Sequence, residues 1–223
     1  MLYKIIATGS QGNAVVVNGN ILIDCGVSFK ELKSDYKSLQ IVLLTHEHSD
    51  HFNPTTIRRL ATERPTLRFG CCRWLVKMLI TAGVPKKIID VYEIGKIYDY
   101  TAFKVAPVKL YHDVENCGYR VFAGGEKAIY ATDTGTLAGI TAKHYDLYLI
   151  EGNYTTSEIE KRIAEKQGTG EYIYEKRVMQ CHLSKEQADE FLLSNMADNS
   201  VYEYLHGHKD DGEITVTDDM LPF

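Results

Sequence analysis

The feature that most constrains this chain is the join between an apolar run, QIVLL (residues 40–44), and the polar stretch THEHSDH (45–51) that follows it. In LLTHEHSDHF (43–52), ten positions hold three histidines, a glutamate and an aspartate. Side chains alternate along a strand, so His46 and His48, two apart at its end, point to the same side. Asp50 and His51 fall on the turn just beyond. A strand end feeding a short turn thus presents four ligating groups close together. Imidazole with carboxylate suits zinc, iron or manganese, and four such groups exceed what a single structural site needs.

The rest of the chain reads as short strands and helices. LYKIIA, AVVV, NILID and QIVLLT are apolar runs punctuated by Gly and Asn, hence strands. Asn53 caps a helix with Pro54 at its first position. In that helix Ile57, Leu60 and Ala61 face inward while Arg58 and Arg59 face out. TLRFG is a strand, and CRWLVKMLITAG a helix whose inner stripe is Trp74, Leu75, Met78, Leu79 and Ala82, stopped by Gly83. VYEI, KIYDY, AFKVAPV, GYRVFAG and KAIYAT follow as strands, with GGE turning the last two into a hairpin. DLYLIEG is a further strand. TTSEIEKRIAEK is a helix with Glu158 completing a capping box, and SKEQADEFLLSNM another, capped by Ser184 with Gln187. SVYEYL is the last strand. Strands come in two groups, each followed by helices, which implies two sheets face to face with helices outside. A chain of 223 residues, 44% apolar, suffices for one well-buried domain. We place it at residues 1–208, with an acidic, loosely held tail at 209–223.

The charge pattern is uneven. Residues 54–89 hold Arg58, Arg59, Arg64, Arg68, Arg73, Lys77, Lys86 and Lys87 against Glu63, a local +7 in a chain of −5, so the remainder sums to −12. Such a strip is either two solvated helix faces or an electrostatic footprint for a polyanion, with Arg58, Arg59, Arg73 and Lys77 as its substrate-binding candidates. No apolar run approaches the roughly 18 residues of a membrane helix, and MLYKIIATGS is too short in its apolar part for a signal peptide. Five cysteines without a CxxC pair imply no disulfide framework and a reducing cytoplasm, with Cys71 and Cys72 as buried thiols. GSQGN reads chiefly as a tight turn whose amides help shape the site, and His144 as a surface residue.

THEHSDH resembles the HxHxDH signature of the metallo-β-lactamase superfamily. That resemblance implies an α/β (α+β) fold, a four-layer αββα sandwich of two mixed β-sheets flanked by helices, with a metal site at one edge between the sheets. Further segments fall in the family order: ILIDCG offers Asp24, LYHDVENCGYRV offers His112, AIYATDTG offers Asp133 and VYEYLHGH offers His206, with His208 a second candidate for that last ligand. GSQGNAVVV, LIDCGVSF, HDVENCGYRV and ATDTG closely resemble the YycJ-like (WalJ) branch, which is related to nucleases. IEGN and CHLSKEQA resemble the segments that supply a Glu and a His as a proton shuttle in that branch and in tRNA 3′-processing endonucleases, here Glu151 and His182. The chain departs from the branch in about twenty inserted residues around EIEKRIAEKQGTGEYIYE (158–175), in Tyr154 where His is common, and in LHGHKD in place of LHLS.

The resemblance implies a ligand set and a reaction. His46, His48 and His112 hold one divalent ion; Asp50, His51 and His206 hold another; Asp133 bridges them. The ions are zinc or manganese. Asp24 orients a ligand histidine rather than binding metal. A hydroxide between the ions attacks a phosphodiester, steered by Asp50, and His182, held by Glu151, protonates the leaving oxygen. The expected partner is a phosphodiester substrate, nucleic acid among the candidates, and no membrane. Two other readings stay open: hydrolysis of a carboxylic ester, thioester, lactone or lactam, and a non-hydrolytic metal-binding or redox module.

Overall fold

The computed structural model describes residues 1–169 and 172–207. His208 and the tail at 209–223 lie outside the described residues. The first sheet runs in chain order: β1 (Tyr3–Ala7), β2 (Ala14–Val17), β3 (Ile21–Ile23), β4 (Ile41–Leu44), β5 (Arg68–Cys72) and β6 (Ile89–Tyr92). Its pairings are antiparallel up to β3 and parallel from β3 to β6. The second sheet holds β7 (Tyr98–Asp99), β8 (Phe103–Tyr111), β9 (Glu115–Ala123), β10 (Glu126–Ala131), β11 (Leu147–Glu151) and β12 (Val201–Leu205), antiparallel to β10 and parallel after it. Gly124 and Gly125 form the two-residue turn between β9 and β10, both at positive φ, as a turn matched to the strand twist requires.

Strand alternation builds the layers. In β4, Ile41 and Leu43 join the core between the sheets, where they meet Val105, Tyr119 and Leu149. Val42 and Leu44 face the other way, onto α1 (Pro54–Glu63) and α2 (Val76–Thr81). On the far side, Ile129, Tyr148 and Ile150 pack against α5 (Lys185–Asn195). The order is therefore helix, sheet, sheet, helix. Each fully buried Leu or Ile contributes roughly 1.5–3 kcal/mol. A one-residue slip of β4 would swap its two faces and turn the following histidines away, so core register and site geometry are one constraint.

Helix starts follow their caps. Asn53 accepts from Thr55 N and Thr56 N, with Pro54 first in α1. Thr155 with Glu158 and Ser184 with Gln187 form capping boxes that open α3 (Thr156–Lys166) and α5. Three segments differ from the sequence expectation. The predicted helix at CRWLVKMLITAG opens as a 3-10 turn over Arg73–Leu75 before α2, and Trp74 is only partly buried, its indole N–H donating to Thr45 O at 3.2 Å. KIYDY pairs only over Tyr98–Asp99, at the sheet edge. A helix that was not expected, α4 (Glu175–Cys181), starts at the last residue of the inserted region and follows it.

Candidate metal centre and active site

The functional side chains leave the sheets at the carboxyl ends of strands. Asp24 follows β3, His46 follows β4 after Thr45, Asp133 follows β10 after Thr132, Glu151 ends β11, and His206 follows β12. In open α/β sheets this edge is where ligands bind. Three of these residues, Asp24, Asp133 and His206, have left-handed φ values of +59°, +58° and +55°. Such a backbone costs an L residue about 1–3 kcal/mol and persists where neighbours hold it in place.

The turn after β4 is gripped from several sides. Tyr119 Oη donates to Leu44 O at 2.6 Å. Thr45 Oγ1 donates to Asp24 Oδ1 at 2.9 Å and lies 2.9 Å from His46 Nδ1. With its own proton given to Asp24, that hydroxyl accepts from Nδ1, which leaves the Nε2 lone pair of His46 free. Asp24 Oδ2 accepts from His51 Nδ1 at 2.7 Å and from Tyr130 Oη at 3.0 Å, so Asp24 stands behind a ligand-type histidine. Gly26 packs so close to the turn that a Cβ would lie 1.7 Å from Asp50 O. The GSQGN segment also reaches in: Asn13 Nδ2 lies 2.9 Å from His51 Nε2 and 3.3 Å from Asp50 Oδ2.

Five imidazoles and two carboxylates converge here. Ligand atoms of His46, His48 and His112 lie within 4.8 Å of one another, as do those of Asp50, His51 and His206. Asp133 lies between the sets. Its Oδ2 is 3.0 Å from His51 Nε2 and 3.4 Å from His206 Nδ1, and its Oδ1 is 3.9 Å from His112 Nε2. Three buried atoms aimed into this cluster make no well-aligned hydrogen bond: His46 Nε2, Asp133 Oδ2 and His206 Nδ1. Buried polar atoms are rarely left so, and imidazole nitrogens beside carboxylate oxygens suit a divalent cation. Electrostatics agree. Burial alone would lower the pKa of His51, but the charges of Asp133 and Asp24 outweigh it and hold it well above the imidazole range. Burial and the neighbouring His51 push His46 well below that range. Burial would raise Asp133, yet His51 and His206 hold it well below ordinary carboxylates.

A second wall faces the cluster. His182 caps the carboxyl end of α4, and its Nδ1–H donates to Glu151 Oε1 at 2.5 Å. Glu151 is fully buried, and its Oε2 accepts from Thr134 N at 3.0 Å and Leu183 N at 3.3 Å, which fixes the carboxylate. Burial would lower the pKa of His182, but the bond and charge from Glu151 outweigh it and raise it above the usual value. Asp113 pairs with Arg177 of α4 and places Oδ1 3.1 Å from His112 Nε2.

Asn13, Thr45, Tyr130, Asp113 and Arg177 were not singled out from the sequence. Asp113, Asn13 and Thr45 carried a signal in their position, directly after His112, within GSQGN and at the head of THEHSDH; Tyr130 and Arg177 gave none. The basic strip is not brought to the cluster. Arg58 donates from Nε to Ala82 O at 3.0 Å. Arg59 pairs with Glu63 and lies 3.8 Å over the Phe29 ring. Arg73 and Lys77 line a separate open hollow with Val76, Ile80, Thr81 and Val91.

Comparison with known proteins agrees with this architecture. The pattern of the beta-lactamase superfamily domain matches residues 19–194. The exodeoxyribonuclease WalJ of Streptococcus pneumoniae is 26% identical, over 92% of this chain and 80% of that protein. Human tRNase Z, short form, superposes with a TM-score of 0.66 at 17% identity, over 92% of each chain. Zinc-bound PqqB from Methylobacterium extorquens superposes with a TM-score of 0.62 at 12% identity, over 93% of this chain and 89% of that one. Likeness at such low identity shows the fold.

Proposed function

Because the chain belongs to the beta-lactamase superfamily, whose fold implies divalent metal ions, we propose that it is a dinuclear metal-dependent phosphodiesterase, a nuclease acting on nucleic acid. His46, His48 and His112 would hold one ion, Asp50, His51 and His206 the other, with Asp133 between them, zinc or manganese serving in both places. What supports these sets is that each converges within 4.8 Å, and that Asp133 lies within the same distance of His46 and His51, one from each set. Bound there, divalent ions neutralise charge on a phosphoryl oxygen and provide a nucleophile at neutral pH.

The chain's own groups do the rest. Asp24 holds His51 in the tautomer that presents Nε2. Asp50, at the rim of the cluster, steers the attacking water. Glu151 holds Nδ1 of His182, leaving Nε2 to give a proton to the departing oxygen. The observation that carries the phosphodiesterase reading is this Glu151–His182 pair opening onto the same cavity as the cluster. An alkoxide leaves a phosphodiester poorly and needs a donor, whereas the cluster alone would serve an ester or lactam hydrolase equally well. We place the catalytic unit at residues 1–208. A reducing cytoplasm suits its cysteines, all five free and buried; among the described residues no helix is long and apolar enough to cross a membrane.

The test is a substrate panel on zinc- or manganese-loaded protein: bis-p-nitrophenyl phosphate, single- and double-stranded DNA and RNA, and a chromogenic lactam and lactone. Cleavage of the phosphodiesters and nucleic acid is expected. Turnover of the lactam or lactone with the phosphodiesters untouched would overturn the reading.

A further inference from the structure

We propose that a second cavity beside the metal cluster is a nucleoside pocket, which holds one sugar and base on the leaving-group side of His182. The inference rests on the phosphodiesterase reading above. Two hollows meet at His182 and His206. One, of about 190 Å³, is walled by cluster residues including His48, Asp50, His112 and Asp133, with the Asp113–Arg177 pair at its side. The other, of about 380 Å³, runs away from them between the turn at residues 9–11 and the start of α4. Ser10, Tyr174 and Val178 line both, so a ligand in one adjoins a ligand in the other.

The linings differ in kind. The smaller hollow carries carboxylates and a guanidinium. Among the described residues, no Asp, Glu, Lys or Arg lines the larger one. Ser10, Gln11 and Asn153 supply hydroxyl and amide groups there, and Tyr174 and Val178 supply apolar surface. Beyond His182 at the junction, a phosphate would meet no Lys or Arg in it. A neutral, flat group with polar edges fits it. The volume lies near the small end of the roughly 300–1,000 Å³ usual for ligand pockets, which suits one nucleoside and excludes a duplex segment. Tyr174 stands at the junction with 46% of its surface exposed, and an aromatic ring there is a stacking platform for any base. Asn153 gives its amide N–H to His206 O at 2.9 Å, while its buried Oδ1 has no hydrogen-bond partner. A base N–H or sugar hydroxyl is the kind of donor that wall lacks. Position completes the assignment. His48, Asp50 and His112 do not line this hollow, whereas His182 does. A phosphoryl group at the cluster with its leaving oxygen toward His182 therefore directs the leaving sugar into it.

The experiment compares two dinucleoside phosphodiesters that differ only on the leaving side, one bearing a base and one an abasic sugar, on manganese-loaded protein. The base-bearing compound is expected to have the higher kcat/KM, by about tenfold or more, the usual worth of one stacked base. Tyr174→Ala should lower that preference about tenfold, chiefly through KM, and Tyr174→Phe should retain it. Gln11→Trp, which adds bulk to the hollow, should penalise the base-bearing compound more than the abasic one. Equal kcat/KM for the two compounds in the unaltered protein would overturn the pocket while leaving the phosphodiesterase reading intact. So would a preference that survives Tyr174→Ala in a protein that remains folded by circular dichroism. If neither compound is cleaved, the phosphodiesterase reading fails and the pocket falls with it.

Discussion

The two walls of the site are built on opposite plans. On the β4 wall, His46 and His51 are fully buried, and the turn that carries them is tied by Asp24, Thr45, Tyr119 and Asn13. On the α4 wall, Arg177 and Tyr174 are about half exposed and His182 has one strong anchor, Glu151. The difference follows from the tasks. Metal ligands must keep their distances whatever the substrate does, so many fixed bonds serve them. Groups that meet substrate or pass a proton must be reachable, and reach leaves less room for anchoring.

Changes to the α4 wall should strike turnover and spare metal content, while changes to the β4 wall should lower metal affinity and turnover with it. The largest effect is expected at His182. His182→Ala should reduce cleavage of a nucleic-acid substrate by about 10²- to 10⁴-fold, the worth of a positioned general acid. A p-nitrophenolate ester, whose leaving group needs no proton, should lose far less. Equal losses on both substrates would remove His182 from the proton-donor role, and a lost metal would make it a ligand. Asp24→Asn should act on the other wall, lowering metal affinity by about 10- to 100-fold as loss of a partner behind a ligand does, which a competing chelator titration reads directly. An unchanged affinity would break the contrast between the walls.

Glu151→Gln sharpens it in a different way. The carboxylate raises the pKa of His182, so the protonated donor persists to higher pH and the alkaline limb of the kcat profile lies high. Removing the charge lowers the pKa, and that limb should move toward acid. A limb that stays in place would assign it to another group. The smallest effect is expected outside both walls. Neutralising Arg73 and Lys77 should flatten the salt dependence of nucleic-acid binding by a slope of roughly one per lost phosphate contact, with cleavage of bis-p-nitrophenyl phosphate little altered. An unaltered slope would leave these two residues as a solvated helix face.

The walls also differ in how far the sequence reveals them. His46, His48, Asp50 and His51 are consecutive in effect, set by one strand end, so the spacing alone exposes them. The two capped helices were legible for the same local reason, since Thr155 and Ser184 each close a box three residues on. α4 was not: Tyr174 at its start makes no side-chain cap bond, and the helix holds only seven residues. Single residues such as Asp24, Asp133 and His206 needed the family resemblance to stand out. Tyr130 reaches Asp24 across 106 residues and Arg177 reaches Asp113 across 64. Such contacts arise from the order of strands in the two sheets, and no local pattern carries them.

The account turns on Asp133 standing between two metal positions, and metal stoichiometry tests that most directly. Elemental analysis of the unaltered protein, loaded with excess zinc or manganese and desalted, should give about two ions per chain, and Asp133→Ala should fall clearly below that while staying folded by circular dichroism. A ratio that remains at one with excess metal, or an Asp133→Ala protein that still holds about two, would contradict it.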